Sequence, residues 1–170
     1  MALSAAIEWD VRTTGSDSNG GGFKSGATGT DRSQQNGAFA TLTTLSIVAA
    51  TTTTITVSLT DYTVATTDVG NVYQNTGGTS TAGFYEIVSV DTGLNTWTLD
   101  RSIGTAAQTC TGIMGGALLT VAKVEGAMVA GNTAHIKAGT YTITAAISAS
   151  VAGTVAAGPV SWIGYNSTHN

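Results

Sequence analysis

The stretch FYEIVSVDTGLNTWTLDR, residues 84–101, decides the fold class of this chain. Its first part, Phe84–Val90, is rich in β-branched and aromatic residues, and in its second part, Thr96–Arg101, Trp97 and Leu99 alternate with polar neighbours. Such alternation with a period of two indicates half-buried β-strands. The residues between the two parts include Asp, Gly and Asn, which are typical of a tight hairpin connection. The stretch therefore predicts two neighbouring antiparallel strands.

The same pattern extends upstream of this hairpin. Ile55, Val57 and Leu59 alternate with Thr and Ser, which predicts a further strand with these three side chains facing inward. Glycine pairs and Asp-Asn turn signals divide the rest of the region into short segments. We therefore expect residues 51–113 to form a small antiparallel unit of four or five strands.

A helix is predicted downstream, over Leu118–Val129, where apolar residues recur at steps of three and four. Glycines precede this segment, and Gly131 follows it in the manner of a C-terminal cap. Beyond it, short alternating runs predict strands over Thr133–Ala138, Tyr141–Ala146 and Val160–Tyr165. An N-terminal strand is predicted over Ala6–Arg12.

The composition excludes several classes of function. Charged residues make up 9% of the 170 residues, the net charge is −4, and the six Lys and Arg are scattered, so no basic surface suited to nucleic acid is expected. No run of about twenty apolar residues predicts a membrane span, and the N-terminus lacks a cationic secretory signal, so we expect a soluble chain made without export. The lone Cys110 excludes an internal disulfide and is expected to be a small buried side chain.

The sequence predicts no catalytic, cofactor-binding or metal-binding residues. No Asp or Glu follows Glu125, whereas glycoside hydrolysis requires paired carboxylates. His135 and Lys137 share one side of a predicted strand and are expected to be an ordinary exposed polar face. Asp100 and Arg101 are expected to form a local ion pair or a turn contact rather than a catalytic pair.

Two binding alternatives stay open at this point. Oxygen atoms of Asp17, Asn19 and Asp31 suit calcium, although turn formation explains these residues as well and their spacing is not that of an EF-hand. Aromatic side chains suit stacking on sugars, although aromatics are more often part of the core. The candidates for sugar stacking are Trp9, Trp97, Trp162, Tyr73, Tyr85 and Tyr165.

A series of motifs, taken together and in order, resembles the N-terminal part of tailed-phage virion proteins of the pectate-lyase-like type, which have a right-handed parallel β-helix. The series covers nearly the whole chain and is more specific than any single motif. It consists of WDVRTTGSDSNGGGF (9–23), GTDRSQQN (29–36), DVGNV (68–72), GFYEIVSV (83–90), LDRSIGT (99–105), GGAL (115–118), MVAGNTAHIKAGTYTIT (128–144) and WIGYNST (162–168).

The resemblance implies a mainly β fold with a small antiparallel β domain and one capping helix, which leads into the start of a right-handed parallel β-helix. Residues 1–41 are then an N-terminal strand and Gly-rich arm, 42–114 an inserted antiparallel β domain, and 115–170 the capping helix and a first β-helix turn that is cut short at Asn170. The resemblance also implies that the AGTYTIT strand, residues 138–144, starts the first turn of the β-helix.

The implied function is that of a non-enzymatic bacteriophage structural protein located in the virion. Such a protein is a capsid decoration protein, a head fibre, or a tail fibre or spike component that attaches through this N-terminal part to other capsid or tail proteins. The alternatives are the N-terminal segment of a polysaccharide-degrading tailspike, or an adhesin that binds a host surface glycan.

Self-association is also expected. Unpaired strand edges and an apolar surface around Ile143, Ile147, Val160 and Trp162 favour a homo-oligomer. The choice of a homotrimer comes from the resemblance to phage fibres and spikes.

Overall fold

A computed structural model describes residues 3–4, 7–22, 40–48, 51–144, 146–148 and 150–166 of the chain. These residues form strands in two sheets, with very little helix. The strands are β1 (Glu8–Val11), β2 (Ala40–Ile47), β3 (Thr54–Val57), β4 (Val72–Gly78), β5 (Gly83–Asp91), β6 (Thr96–Leu99), β7 (Thr109–Met114), β8 (Thr133–Lys137) and β9 (Ser161–Tyr165). The α-helix is α1 (Val121–Glu125), and a 3₁₀ turn spans Thr66–Asp68.

Strands β2 to β7 form a closed antiparallel barrel in the order β2-β3-β6-β5-β4-β7, and β7 returns to β2. The hairpin predicted from residues 84–101 is confirmed, because Val90 of β5 pairs with Trp97 of β6. Strand β3 joins the same sheet on the other side of β6, where Ile55 also pairs with Trp97. Closure leaves the barrel without a free strand edge.

The hairpin turn depends on Asn95, which adopts a left-handed backbone conformation with φ of 52°. Its buried side-chain amide donates to the carbonyl oxygens of Val57 and Tyr62, at 2.7 and 3.0 Å. Its carbonyl oxygen accepts from the backbone N–H of Val64 at 2.8 Å. One turn residue therefore binds the loop after β3 to the β5–β6 hairpin.

Large side chains fill the barrel interior. Trp97, Tyr73, Ile55 and Ile87 are completely buried there, together with the carboxylate of Asp68. That carboxylate accepts hydrogen bonds from the indole N–H of Trp97 at 3.0 Å and from the Tyr62 hydroxyl at 2.7 Å. A buried carboxylate supplied with donors in this way fixes the packing of its neighbours.

The approach of β4 to β7 requires glycine at position 112. A Cβ atom on Gly112 would overlap the carbonyl oxygen of Gln74 and the ring of Tyr73. Neither neighbour can move aside easily, since one is a backbone oxygen and the other is a buried aromatic ring.

The second sheet has three parallel strands in the order β1-β8-β9. Trp9 and Val11 of β1 and Ala134 of β8 are buried on one of its faces, in a core that also includes Leu118 and Met128. This core is completed by the outside of the barrel. Trp9 meets Phe84 edge to face with ring centroids 5.4 Å apart.

This architecture contradicts the expected right-handed parallel β-helix. The main body is the closed antiparallel barrel, and the parallel part is a single sheet of three strands. Between β8 and β9 the described residues contain only an isolated bridge, Thr154 to Gly158, so there is no strand from which further sides of a coil could be built. The alternating runs between β8 and β9 are short and are interrupted by Gly, Ala and Ser, which have low β-propensity, so the additional strands of a β-helix do not form there.

The predicted helix over Leu118–Val129 is also wrong in extent, since α1 has five residues. The helix starts late because Leu118 pairs with β1: its N–H donates to Asp10 and its carbonyl accepts from Arg12, both at 2.9 Å. Thr120 caps the helix by accepting from the N–H of Lys123, and Gly126 ends it. The short helix does not cap a β-helix.

The C-terminal strand predictions have mixed outcomes. The strands predicted over Thr133–Ala138 and Val160–Tyr165 are confirmed as β8 and β9, whereas the described part of Tyr141–Ala146 forms no strand. Tyr141 instead turns back, and its hydroxyl donates to the carbonyls of Val11 and Lys137.

The N-terminal and inward-facing predictions also had mixed outcomes. The described part of the predicted N-terminal strand forms β1. The inward orientation of Ile55, Val57, Trp97 and Leu99 is confirmed, but Leu59 lies beyond β3 and is 70% exposed.

Candidate interaction surface

The open edge of the parallel sheet is the most exposed apolar part of its strands. On β9, Trp162 is 40% exposed and Ile163 is 46% exposed, and their side chains point to opposite faces. Gly164 follows, and a Cβ atom at that position would meet nothing within 4 Å. Of the four residues of the expected apolar surface, Trp162 and Ile143 are exposed, the latter by 62%, whereas Ile147 and Val160 are half-buried.

The backbone of β9 is paired on one side only in the described part of the chain. The N–H of Ser161 donates to Asn132, and the carbonyl of Tyr165 accepts from Ala138. With the parallel register that places Ile163 beside His135, residues 161, 163 and 165 are those that bond to β8. The N–H and C=O groups of Trp162 and Gly164 therefore point to the open side.

The opposite edge of the sheet is covered. Backbone bonds from Leu118 to Asp10 and from Arg12 to Leu118 occupy the outer side of the C-terminal end of β1. Since the barrel is closed, β9 provides the only free strand edge among the described residues.

A buried polar cluster binds β9 to the rest of the sheet. Asp10 of β1 is fully buried, its carboxylate lies 2.6 Å from Nε of Arg12, and it accepts a hydrogen bond of 2.6 Å from the hydroxyl of Tyr165. Burial raises the pKa of Asp10, while Tyr165 and Arg12 oppose that shift. Burial and the bond to Asp10 raise the pKa of Tyr165, so its hydroxyl keeps the proton that it donates.

The exposed polar face expected at His135 and Lys137 is wrong for the histidine. His135 is 6% exposed and its Nε2 lies 3.2 Å from Oε2 of Glu8, whereas Lys137 is half-buried. Burial lowers the pKa of His135, and the charge of Asp10 opposes this. Parallel pairing of β8 with β1 places the histidine in this cluster.

A shallow cavity of about 400 Å³ adjoins the β9 edge on the Trp162 side. Its lining includes Met128, Val160 and Glu125. The carboxylate of Glu125 accepts from the backbone N–H and the hydroxyl of Ser150, both at 2.5 Å. These bonds lower the pKa of Glu125.

A second apolar cavity of about 370 Å³ lies between α1 and residues 140–144, 146 and 147. Leu119 and Ile143 contribute exposed apolar surface to it, and threonine hydroxyls form much of its rim. No charged side chain lines it among the described residues. It therefore extends the uncharged surface near the sheet.

Most of the aromatic residues considered for sugar stacking belong to the core. Trp9, Trp97, Tyr73 and Tyr85 are at most 2% exposed, and Tyr165 is half-buried with its hydroxyl on Asp10. Of the six candidates, Trp162 alone has a substantially exposed ring. The core interpretation is confirmed for the four buried rings.

The calcium candidates do not form a cation site in the described residues. Asp17 accepts from the N–H groups of Leu119 and Thr120 and from the Thr120 hydroxyl, and the Asn19 amide donates to the carbonyl of Ala117. Asp31 lies outside the described residues, as does the GTDRSQQN motif. No group of three or more His, Cys, Asp or Glu side chains in the described ranges is arranged to hold a metal ion.

Two smaller predictions are confirmed. Asp100 and Arg101 form an ion pair of 2.6 Å, and Arg101 also lies over the ring of Tyr85. Cys110 is completely buried in the barrel and accepts a hydrogen bond from Ser80.

The described part of the chain contains no helix that is long and apolar enough to cross a membrane.

Comparisons with known proteins leave the family open. No family model, no curated protein and no solved structure matches the chain. The site must therefore be interpreted from its own geometry. That geometry consists of an uncharged, apolar strand edge held in place by a buried polar cluster. Sequence reasoning did not single out Asp10, because Tyr165 and His135, which lie beside it, are more than a hundred positions away in the chain.

Proposed function

We propose that the chain is a non-enzymatic structural protein of a bacteriophage virion, which works by associating with copies of itself and with other virion proteins. The observation that carries the proposal is the open β9 edge, with Trp162 and Ile163 exposed beside it. Exposed strand edges with apolar side chains recruit other strands, and proteins that act alone normally block them. Strand β9 contains no charge, no proline and no bulge that would do so.

The use of the acidic residues supports a structural role. Each described carboxylate contacts a donor of the chain itself, whereas glycoside hydrolysis requires two carboxylates that face a substrate. Glu8 contacts His135, and the others accept hydrogen bonds from neighbouring backbone or side-chain groups. Those others are Asp10, Asp17, Asp61, Asp68, Glu86, Asp91, Asp100 and Glu125.

The low charge of the chain supports association as well. Only 9% of its residues are charged, against about a quarter in ordinary soluble domains. A surface that carries few ions has little electrostatic protection against contact with other copies. The ordered series of phage-like motifs, rather than the fold, is the reason for placing this association in a virion.

Labelling of phage particles tests the proposal. Antibodies against the purified chain should decorate intact tailed-phage particles at regular positions, and the chain should remain with particles through density-gradient purification. Recovery of the chain only in the particle-free fraction would contradict the virion location.

An activity assay tests the non-enzymatic part. The purified chain, incubated with host surface polysaccharide, should release no oligosaccharide. Release that a single carboxylate-to-amide substitution abolishes would instead favour the tailspike alternative.

A further inference from the structure

We propose that two copies of the chain associate through their β9 strands, antiparallel and about a two-fold axis at Ile163, to form one continuous six-stranded sheet. The inference rests on the proposed function and specifies its self-association. It names the partner of the open edge as a second copy of the same edge.

The backbone of β9 is suited to this pairing. The N–H and C=O groups of Trp162 and Gly164 point to the open side, whereas those of Ile163 point to β8. With the axis at Ile163, Trp162 of one copy lies opposite Gly164 of the other. Each such pair exchanges two hydrogen bonds, because directly opposed residues with outward groups form the hydrogen-bonded pairs of an antiparallel ladder. The two Ile163 residues then form the non-hydrogen-bonded pair at the centre.

The side chains match in the same register. Opposed residues of an antiparallel pair lie on the same face, so the large Trp162 ring lies beside Gly164 of the other copy. The space at Gly164 is open in the single chain, since a Cβ there would meet nothing within 4 Å. On the other face, the two half-exposed Ile163 side chains cover each other. No charged residue lies in β9, so like charges are not brought together.

The remaining strand edges direct the choice of partner. A head-to-tail contact would require β9 of one copy to pair with β1 of the next, but Leu118 already covers the outer side of the C-terminal end of β1. The barrel offers no edge because it is closed. A contact of β9 with itself is the remaining edge pairing among the described strands, and a contact of a surface with itself generates a two-fold dimer.

A trimer, which the phage resemblance favours, needs a different contact. Pairing of one strand edge with the same edge of another copy is complete when two copies have met, because neither edge is then free for a third. A three-fold axis therefore cannot generate this contact. A trimer would therefore assemble through faces or loops, such as the surface around Ile143, and would leave β9 open. The number of copies and the location of the contact distinguish the two arrangements.

Disulfide trapping tests the register. In the variant Ile163→Cys, the two thiols lie at the centre of the non-hydrogen-bonded pair, where Cα atoms are about 4.5 Å apart and a disulfide fits. Val155→Cys is the matched control, since Val155 is fully exposed but lies outside β9. The native Cys110 is buried, and burial raises its pKa, so it does not compete.

With oxidised glutathione, we expect a covalent dimer of Ile163→Cys that exceeds that of the control by roughly tenfold or more, because distant thiols cannot form a disulfide. Equal cross-linking of both variants, or none in Ile163→Cys, would overturn the proposed register.

A second measurement needs no substitution. Amide exchange of the unaltered chain should slow at Trp162 and Gly164 as protein concentration rises, while Ile163 stays protected throughout. Exchange at all three positions that is independent of concentration would overturn the dimer. If antibodies against the chain label phage particles but these two tests fail, only the proposed dimer is wrong. If the chain dimerises but is absent from particles, the proposed virion function is wrong.

Discussion

The barrel and the parallel sheet differ in whether their outermost strand edges are paired. The barrel pairs every strand on both sides and buries Trp97 completely, with its indole N–H on the carboxylate of Asp68. The sheet leaves one strand open and exposes 40% of Trp162. A closed sheet gains stability and gives up contacts with other chains, whereas an open one keeps an edge available for them. In this chain, the strands that enclose the larger core are therefore not the strand whose edge is open.

The two tryptophans give the largest expected contrast. Trp97→Ala should lower the free energy of unfolding by about 4 kcal/mol, because it creates a cavity and removes a donor from buried Asp68. Trp162→Ala should lower that of the monomer by less than about 1 kcal/mol, since its ring is partly in water. Urea denaturation at low protein concentration measures both. Equal losses would mean that the two regions do not differ as described.

The two glycines sharpen the comparison at a smaller scale. Gly112→Ala should cost about 2 kcal/mol, because the added methyl group overlaps Gln74 and Tyr73. Gly164→Ala should change monomer stability by less than about 0.5 kcal/mol, because its Cβ enters open space. Thermal unfolding of the two variants side by side checks this. A destabilised Gly164→Ala monomer would show that β9 is already covered.

The link between Asp10 and Tyr165 should affect the sheet and leave the barrel unchanged. Tyr165→Phe removes a hydrogen bond to a buried carboxylate, which should cost about 1–2 kcal/mol. Hydrogen exchange should become faster at the amides of β9, while the amides of β6 in the barrel serve as the internal control. Faster exchange in both regions to the same degree would contradict the separation of the two.

Acidification gives the smallest expected effect. Burial lowers the pKa of His135 below its ordinary value of 6.5, so the unfolded chain takes up a proton more readily than the folded one. The stability contributed by the neutral histidine is therefore full above pH 6.5 and falls as the pH drops toward the folded pKa. The raised pKa of Asp10 acts in the opposite direction, with stability gained as the pH falls.

Denaturation curves between pH 7 and 5 should therefore differ between the parent chain and His135→Gln, with the parent losing more stability. Identical pH profiles would mean that His135 is as freely protonated in the folded state as in the unfolded one.

Local alternation predicted much of the barrel, and long-range pairing explains most of what it missed. The strands around Ile55, Phe84 and Trp97 were predictable because each has a buried face within a few residues. The sequence did not allow us to predict that β2 and β7 close the barrel, because their pairing joins residues about seventy positions apart and leaves no local signal.

The errors near the sheet have the same origin. The apolar spacing around Leu118 suits a helix, but its backbone pairs with β1 instead. The sequence predicts His135 to be a surface residue, but the pairing of β8 with β1 places it beside Asp10, more than a hundred positions away. The exposure of Trp162 was expected as part of a β-helix, whereas in the structure it accompanies the open edge of β9.

Sedimentation velocity of the unaltered chain beside Gly164→Val tests the central claim most directly. A Cβ atom at position 164 meets nothing within 4 Å in the single chain, whereas a valine side chain there would occupy the space in which Trp162 of a second copy would lie. We predict a dimer that forms with rising concentration for the unaltered chain, and a folded monomer at the same concentrations for Gly164→Val. A chain that stays monomeric throughout, or a variant that associates as well as its parent, would contradict the account.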